Sequence, residues 1–252
     1  MTTKECVILT GCLGGIGQGI SKYLNSVRTD YDIYGLDIKN SNEIAIKREG
    51  IHEYFQCDLR NEKLMYKTIE NIINNQRDGT ICHLINNAGV MVNDPIVSPK
   101  WGSEYFAERI EMWENVIYIN LKSCYILVLY FSNLLFSKRL KGSIINISSI
   151  SANGNPGQSA YSATKGALRS LSKVWSKELA AIGIRSNTIL PGFINTTATE
   201  AALSEKALKK RIFQTPLSRL GDVQEIASVT EILMRNEFLN GAEINVDGGL
   251  VI

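Results

Sequence analysis

The chain has 252 residues, of which 44% are hydrophobic and 8% aromatic, enough for a globular fold with a sizeable core. Its formal net charge is only +2, and the lysines and arginines are scattered, so neither a nucleic acid nor an anionic membrane is indicated as partner. A small-molecule ligand is the better interpretation.

Seven short β-rich runs alternate with longer amphipathic segments, which is typical of repeated βαβ units. No linker rich in proline, glycine or serine interrupts them, and no internal repeat is present. The sequence therefore predicts one α/β domain over residues 1–252, a doubly wound parallel sheet of about seven strands with helices on both faces. The predicted strands are Cys6–Leu9, Asp32–Leu36, His52–Gln56, His83–Asn86, Gly142–Ile147, Arg185–Ile189 and Glu243–Val246.

A glycine-rich turn, TGCLGGIG, follows the first predicted strand at residues 10–17, and a helical pattern begins after it. Glycines let the backbone approach a pyrophosphate closely, and a helix N-terminus offers unpaired N–H groups to the anion. A plain tight turn is the alternative interpretation of these residues alone. The candidate cofactor-binding residues here are Gly11, Gly15, Ile16 and Gly17.

Asp37 ends the second predicted strand, twenty residues after Gly17. A carboxylate at this position would accept hydrogen bonds from the adenosine ribose hydroxyls and would repel a 2′-phosphate. Cys12 and Gly14 carry no charge, and Lys39 is the only nearby cation. These residues favour NAD over NADP and leave NADP as the less favoured alternative.

The N-terminus runs directly into the first strand without an apolar leader, so we expect a cytoplasmic protein. The five cysteines include no C-x-x-C pair and are interpreted as reduced packing residues. His52 and His83 are far apart and have no ligand cluster around them, so no metal site is predicted.

Two long helical patterns, Asn115–Leu140 and Ser162–Ile182, have apolar faces wider than one sheet needs. From these faces we expect a homodimer or homotetramer, with burial inside the chain as the alternative. The most apolar stretch, Tyr125–Phe136, is shorter than the roughly 20 residues that cross a bilayer, so no membrane partner is expected. The apolar residues of the two helical patterns from which we expect an oligomer are Trp113, Tyr125, Leu129, Phe136, Leu168, Leu171 and Trp175.

Ser148, Tyr161 and Lys165 have a spacing that suits one reaction centre. If Tyr161 lies in a helix, Lys165 is on the same face one turn on. A positive charge about 5 Å from the phenol, at an effective dielectric near 20, favours the phenolate by roughly 3 kcal/mol. Tyr161 can then serve as general acid and base. Because Tyr-x-x-x-Lys occurs by chance in many helices, this inference depends on the other motifs.

The segment Gly192–Asp222 lacks strand signals and is rich in Thr, Ala and Lys over a predicted helical pair. A long segment of this kind, close to the predicted site, is a candidate substrate lid.

Taken together, these motifs resemble those of the short-chain dehydrogenase/reductase family, in its single-domain form, over nearly the full length of the chain. Four further segments match the family: Asp58 after Cys57, the run Asn86-Asn87-Ala88-Gly89, Asn120, and Pro191-Gly192 with Thr196. The resemblance implies a Rossmann fold and a metal-free, NAD(H)-dependent interconversion of a secondary alcohol and a ketone.

The resemblance also implies a role for each residue. Tyr161 exchanges the proton, and Ser148 holds the substrate oxygen. Lys165 favours the phenolate and binds the nicotinamide ribose, while the backbone of Asn120 helps to hold a relay water. The implied cofactor contacts are Asp58, Asn87, Gly89, Tyr161, Lys165, Pro191, Gly192 and Thr196. Helix capping is the alternative for Asp58, and an ordinary loop contact is the alternative for Asn86 and Thr196.

Three segments resemble the 3-oxoacyl-carrier-protein reductase branch: Gly154–Gln158, Pro216–Gly221 and Val246–Gly249. Arg139 matches one of the carrier-contacting arginines of that branch. Against this assignment, such reductases usually prefer NADPH, and Ile182 stands where they have a second basic residue. A 3-oxoacyl-carrier-protein reductase using NADPH is therefore the alternative function.

Relative to that branch, Ser98–Tyr105 resembles an insertion near the pocket mouth. Trp101, Tyr105 and Phe106 are candidate substrate contacts there, with packing of an exposed loop as the alternative. The substrate class stays open among sugars, polyols, hydroxy acids and steroid-like alcohols. A redox-inactive NAD-binding sensor or scaffold is the alternative of another class, disfavoured because the catalytic set is complete.

Overall fold

The computed structural model describes residues 5–28, 30–40, 50–100, 102–197, 199 and 204–252. Within them, seven parallel strands form one sheet in the order β3-β2-β1-β4-β5-β6-β7, which confirms the predicted doubly wound architecture. Each predicted strand is present, with ends shifted by at most two residues. The strands are β1 Glu5–Thr10, β2 Tyr31–Asp37, β3 Glu53–Gln56, β4 Ile81–Asn86, β5 Lys141–Ile147, β6 Ile184–Pro191 and β7 Glu243–Val246.

Helices connect the strands and cover both faces of the sheet. They are α1 Gly15–Val27, α2 Glu62–Asn74, α3 Ser103–Ile117, α4 Ser123–Lys138, α5 Ser159–Glu178, α6 Glu205–Gln214 and α7 Val223–Arg235. A single π-helical turn, Tyr118–Lys122, joins α3 to α4.

The core has two halves because successive strand residues point to opposite faces. In β1, Cys6 and Ile8 pack with Met65 of α2 and Phe131 of α4. Val7 and Leu9 pack on the other side, against α1 and α7. All of these side chains are buried, so the sheet is fixed from both faces and its carboxyl edge is a rigid support.

The two predicted interface faces differ in the structure. On α5, Leu168 and Trp175 are buried in the chain's own core and Leu171 packs against it, so the expectation of an excess apolar face there was wrong. On α4, Tyr125, Leu129 and Phe136 are exposed, as is Trp113 of α3. The width of an apolar stripe did not distinguish the two helices, because the difference lies in which side chains the fold leaves exposed: large apolar ones on α4 and mainly polar ones on α5.

The helical run Ser103–Lys138 is longer than the apolar stretch considered above. Among the described residues it is the one helix long and apolar enough to cross a membrane by length and composition, and half of its most apolar window is buried in the fold. Buried core helices meet the same two criteria, so the finding is weak evidence for a membrane.

His83 is a fully buried polar residue in β4, at the end of the sheet away from the carboxyl edge. Its Nδ1 lies 2.8 Å from Ser143 Oγ, and its Nε2 lies 2.9 Å from Glu5 Oε2. Burial lowers the pKa of His83. A neutral ring therefore donates from Nε2 to Glu5 and accepts at Nδ1 from Ser143. His52, by contrast, is at the surface near Asp32.

All five cysteines are free and buried, which confirms their interpretation as packing residues. Burial raises the pKa of Cys12 to about 12 and that of Cys57 to about 11. In the part of the chain that the structure describes, no three His, Cys, Asp or Glu side chains are grouped to hold a metal.

Candidate active site

A cleft of about 740 Å³ opens at the carboxyl ends of the central strands. Residues that follow six different strands line it: Gly11, Ile38, Asp58, Ala88, Ser148 and Gly192 are examples, one after each strand. The chain leaves β1 toward one side of the sheet and β4 toward the other, so the cleft lies at the topological switch point. Open α/β sheets bind their ligands at this position.

The glycine-rich turn between β1 and α1 has no space for a side chain at Gly11, Gly15 or Gly17. Gly11 has a φ of +62°, in the left-handed region that favours glycine. A β-carbon on Gly17 would lie 2.2 Å from the carbonyl oxygen of Gly11. Gly11, Gly15 and Ile16 line the cleft, whereas Gly17 is buried and sets the shape of the turn.

The first turn of α1 has unpaired N–H groups beside the cleft. Its N-cap is Gly14, which has no capping side chain, and no acidic residue occupies its first turn. By contrast, Asn61 caps α2 and Asp222 caps α7 through their side-chain oxygens. An uncapped helix N-terminus suits a phosphate, so these residues fit the pyrophosphate of a dinucleotide.

Asp37, at the end of β2, both lines the cleft and braces the glycine turn. Its Oδ2 accepts a hydrogen bond from the N–H of Leu13 at 3.0 Å, and its Oδ1 accepts one from the N–H of Lys39 at 3.3 Å. The sequence could not show the contact with Leu13, because it depends on how the turn folds back over β2.

Asp58, which follows β3, is paired with Arg60. The Arg60 Nη2 lies 2.9 Å from Asp58 Oδ2, and Arg60 Nε lies 3.1 Å from Oδ1. Hydrogen bonds from the guanidinium lower the pKa of Asp58. Both side chains line the cleft, so a carboxylate beside an adenine would carry its own counter-ion.

Asn87 joins the end of β4 to the glycine turn. Its Nδ2 donates to the carbonyl oxygens of Thr10 and Gly11, both at 3.0 Å, and its N–H donates to Thr10 Oγ1 at 3.0 Å. Asn86 is buried and donates to Asn146 Oδ1 at 2.9 Å across to β5. The predicted Asn-Asn segment therefore fixes the turn and the central sheet together.

Tyr161 and Lys165 lie one turn apart in α5, as the spacing predicted. Both line the cleft, and Lys165 Nζ is 5.6 Å from the centroid of the Tyr161 ring.

Lys165 is a buried cation, only 4% exposed. Its Nζ donates to the carbonyl oxygen of Ile147 at 2.7 Å, and among the described residues no carboxylate forms an ion pair with it. Burying an unpaired ammonium is costly, so structural need alone gives no reason to place it there. Ser148 is also buried, and its Oγ donates to the backbone carbonyl of Lys165 at 2.8 Å.

Asn120 is fully buried within the π-helical turn and does not line the cleft directly. Its Oδ1 accepts from the N–H of Val90 and its Nδ2 donates to the carbonyl of Val90, both at 2.8 Å. The side chain thus holds the loop after β4, and Gly89 lies against it. Single π-turns are frequent at functional sites, and no sequence pattern indicated this one.

The two ends of the predicted lid segment are joined by backbone hydrogen bonds. Ile194 and Gly221 form a parallel bridge, in which Asn195 N donates to Gly221 O at 2.8 Å and Gly221 N donates to Phe193 O at 2.9 Å. Thr196 lies against the glycine turn, because a β-carbon on Gly15 would be 2.7 Å from its Cβ. Helix α6 is the one complete helix in the described part of this segment.

The other end of the cleft is lined by side chains that sequence reasoning did not select: Asn93, Asn155, Gln158, Phe193 and Arg211. Of the predicted substrate contacts, Tyr105 and Phe106 belong to α3 and do not line the cleft, so that expectation was wrong. Tyr105 instead packs beneath Arg109, whose guanidinium is 5.6 Å from its ring centroid. Trp101 lies outside the described residues.

Comparison with known proteins gives relatives along the whole chain. A family model described as enoyl-(acyl carrier protein) reductase matches residues 11–251. The 3-oxoacyl-[acyl-carrier-protein] reductase FabG of Thermotoga maritima is 32% identical over 255 residues, covering 99% of this chain and 98% of the relative. Carbonyl reductase family member 4 of Xenopus tropicalis is 32% identical over 253 residues, covering 98% of each chain.

Solved structures share the fold and differ in their cofactors. A 4-hydroxyisoleucine dehydrogenase complexed with NADH has a TM-score of 0.83 and 29% identity, with 98% of both chains covered. A candidate 2-deoxy-d-gluconate 3-dehydrogenase from Agrobacterium tumefaciens with bound NADP has a TM-score of 0.81 and 26% identity, with 98% of this chain and 96% of the other covered.

Proposed function

The chain belongs to the short-chain dehydrogenase/reductase family and is an oxidoreductase, and we propose that it uses NAD(H) to interconvert a secondary alcohol and a ketone. The proposal gives Tyr161 the role of general acid and base. The observation that carries it is Lys165, a buried ammonium 5.6 Å from the Tyr161 ring, in the same cleft as the uncapped glycine turn.

The proposed chemistry divides between cofactor and protein. A bound nicotinamide would accept or supply the hydride. Tyr161 Oη takes the proton of the alcohol, or returns it to the ketone oxygen, while the charge on Lys165 stabilises the phenolate. Only one of the three N–H bonds of Lys165 is used by Ile147, which leaves the ammonium able to bind a ribose hydroxyl.

Ser148 is proposed to hold the substrate oxygen. Its hydroxyl now donates to the Lys165 carbonyl, so its hydrogen must turn toward the cleft when substrate binds. Asn120 acts by bracing the loop at Val90, and the segment from Pro191 through Thr196 is proposed to cover the nicotinamide. In this proposal the whole of Gly192–Asp222 acts as the substrate lid.

The proposed preference for NAD rests on Asp37. Its carboxylate lines the cleft where the adenosine ribose would lie, and it would repel a 2′-phosphate. The structural relative with NADH supports this choice, whereas the relative with NADP shows that the fold accepts both cofactors.

A 3-oxoacyl-carrier-protein reductase using NADPH is the second candidate, favoured by the relatives of that name at about 32% identity. Arg139, the implied carrier contact, is exposed at the end of α4. Ile182, by contrast, puts no charge where a second basic residue would bind the carrier.

For assembly, we propose a cytoplasmic homodimer or homotetramer that buries the exposed apolar residues of α4. Tyr125, Leu129 and Phe136 are between 44% and 63% exposed, which is unfavourable for side chains of this size in a monomer.

The test is to titrate the protein with NADH and NADPH by fluorescence and then to assay 3-oxoacyl thioesters, keto-sugars and simple ketones. We expect tighter binding of NADH and turnover that Tyr161→Phe abolishes. Tyr125→Phe, an exposed tyrosine outside the cleft, is the matched control and should keep full activity. Binding of NADH without turnover of any ketone would instead favour a redox-inactive sensor.

A further inference from the structure

The charges that line the cleft are unevenly distributed. Its two carboxylates, Asp37 and Asp58, are both at the adenosine end, where Lys39 and Arg60 accompany them. At the other end, the charged lining residues among those described are Lys165 and Arg211. The reacting end of the cleft therefore has an excess of positive charge.

Lys165 already has a proposed role toward Tyr161, but Arg211 has none. Arg211 is in α6, and its guanidinium lies over the ring of Phe193 with 5.1 Å to the centroid. Among the described residues its side chain makes one hydrogen bond, from Nη1 to Gln214 Oε1, which is long at 3.3 Å. No carboxylate within the described residues pairs with it, unlike Arg219, which is paired with Glu225 in the same segment.

The contact with Phe193 matters because the cation–π attraction restricts where the guanidinium can lie. An arginine held in this way presents its remaining N–H bonds as a preformed fork, the geometry that binds a carboxylate bidentately. Asn93, Asn155 and Gln158 line the same cleft and add neutral hydrogen-bonding groups. Such a lining suits a polar anionic substrate better than an alkyl chain.

We propose that Arg211 binds a carboxylate of the substrate, so that the enzyme acts on hydroxy acids and their oxo-acid products. This inference rests on the proposed function and narrows it to one substrate class. Arg211 is a specificity-determining residue here, and the proton and the hydride are exchanged as described above.

The phosphates of the cofactor are the other anion that Arg211 could meet. The uncapped N-terminus of α1 and the glycine turn already provide a site for them, whereas Arg211 contacts Phe193, which follows β6. Measuring the affinity for the cofactor therefore shows whether Arg211 binds the substrate carboxylate or the cofactor phosphates. If Arg211 serves the substrate, its replacement should leave the Kd of NADH unchanged within about twofold.

The experiment uses matched pairs that differ in charge and by one methyl group: pyruvate, 3-oxobutanoate and 4-oxopentanoate, each with its methyl ester. Reduction with NADH is measured for the wild type, Arg211→Gln, Arg211→Lys and Lys210→Gln. Lys210 neighbours Arg211, is exposed and does not line the cleft, so its variant controls for the loss of one positive charge. Calorimetry on the NAD+-saturated protein, which cannot reduce them, measures binding of the same acids.

We expect the wild type to prefer at least one acid over its ester. In Arg211→Gln the kcat/KM for that acid should fall roughly 10- to 100-fold, as expected for loss of a charge-assisted hydrogen-bonded pair, while the ester is unaffected. Arg211→Lys should retain part of the preference, and Lys210→Gln should retain all of it.

Two results would overturn the inference: turnover without any acid preference, or a preference that Arg211→Gln leaves intact. A rise in the Kd of NADH in Arg211→Gln with unchanged substrate selectivity would also do so, by assigning the guanidinium to the cofactor. Tyr161-dependent turnover of the esters would in each case leave the oxidoreductase proposal standing. Arg211-dependent binding of the acids without turnover would support the carboxylate site and count against the redox reaction.

Discussion

Replacing Asp37 by Asn should relax the preference for NAD over NADP. The substitution preserves the shape of the side chain and leaves an amide oxygen to accept from the N–H of Leu13, so the glycine turn keeps its brace. What it removes is one of the two negative charges at the adenosine end of the cleft. Any gain with NADPH is then electrostatic in origin.

The magnitude follows from the separation of the charges. A phosphate on the 2′-oxygen of a ribose that is hydrogen-bonded to Asp37 would be about 5 Å from the carboxylate, and one pair of unit charges at that distance repels by about 3 kcal/mol at an effective dielectric near 20. Asp37 is half-buried, and salt screens part of this repulsion. We therefore expect kcat/KM with NADPH to rise about 10- to 100-fold, with kcat/KM for NADH falling by less than about tenfold through loss of one charge-assisted hydrogen bond.

The assay is steady-state reduction of one substrate with each cofactor, at two salt concentrations. Asp58→Asn is the matched control, because Asp58 already has Arg60 as its counter-ion and its neutralisation should change the ratio little. Since screening weakens the repulsion, the gain in Asp37→Asn should shrink at high salt. A ratio that stays within about threefold of the wild type, in a variant that still binds NADH, would refute the electrostatic argument.

Three further predictions concern catalysis, the turn and the buried histidine. Lys165→Met should lower kcat by about 100-fold or more, because it removes the charge that stabilises the phenolate. A kcat within about tenfold of the wild-type value would contradict that role. Gly17→Ala places a methyl group 2.2 Å from the carbonyl oxygen of Gly11, so it should lower the free energy of unfolding by about 1–3 kcal/mol. Because the turn is then distorted, NADH should no longer raise the Tm. An undiminished rise in Tm would contradict the role of Gly17 in the turn. Because the pKa of His83 is lowered in the folded state, stability is full above the unfolded value near 6.5 and falls as the pH drops below it, by up to about 1.4 kcal/mol per pH unit. In His83→Gln, urea unfolding between pH 7 and 5 should lose most of this slope, and an unchanged slope would assign it to other groups.

The fold was predictable because a parallel sheet buried on both faces leaves a strong periodic signal. Each of the seven strands appeared as a short apolar run with helical segments between, and the glycine turn marked where the sheet reverses its order. The start of β4 and the end of β6 were less certain, each lying two residues beyond the predicted boundary, since nothing in the apolar pattern marks where strand pairing begins or stops.

The candidate site was predictable only where the geometry of one helix or turn determines the distance between the residues. Tyr161 and Lys165 are four residues apart in one helix, so sequence spacing fixes their distance. Arg211 and Phe193 meet through the fold of the segment between them, and no spacing rule connects residues 18 positions apart. The π-helical turn around Asn120 likewise depends on tertiary packing. An apolar stripe alone could not show that the predicted apolar residues of α5 pack in the chain's own core, whereas Tyr125, Leu129 and Phe136 of α4 are exposed.

The rate at which thiol reagents label the buried cysteines can report local and global unfolding of the protein. Thiol reagents attack the thiolate, and a thiol that is both buried and raised in pKa reacts only when the chain around it opens. Cys12 lies in the glycine turn, whereas Cys6 and Cys82 lie in adjacent central strands. Labelling at Cys12 would thus time the local fluctuations of the nucleotide-binding loop, and labelling at the strand cysteines would time global unfolding. A bound dinucleotide should slow the labelling of Cys12 at concentrations that do not yet change the labelling rate of the strand cysteines.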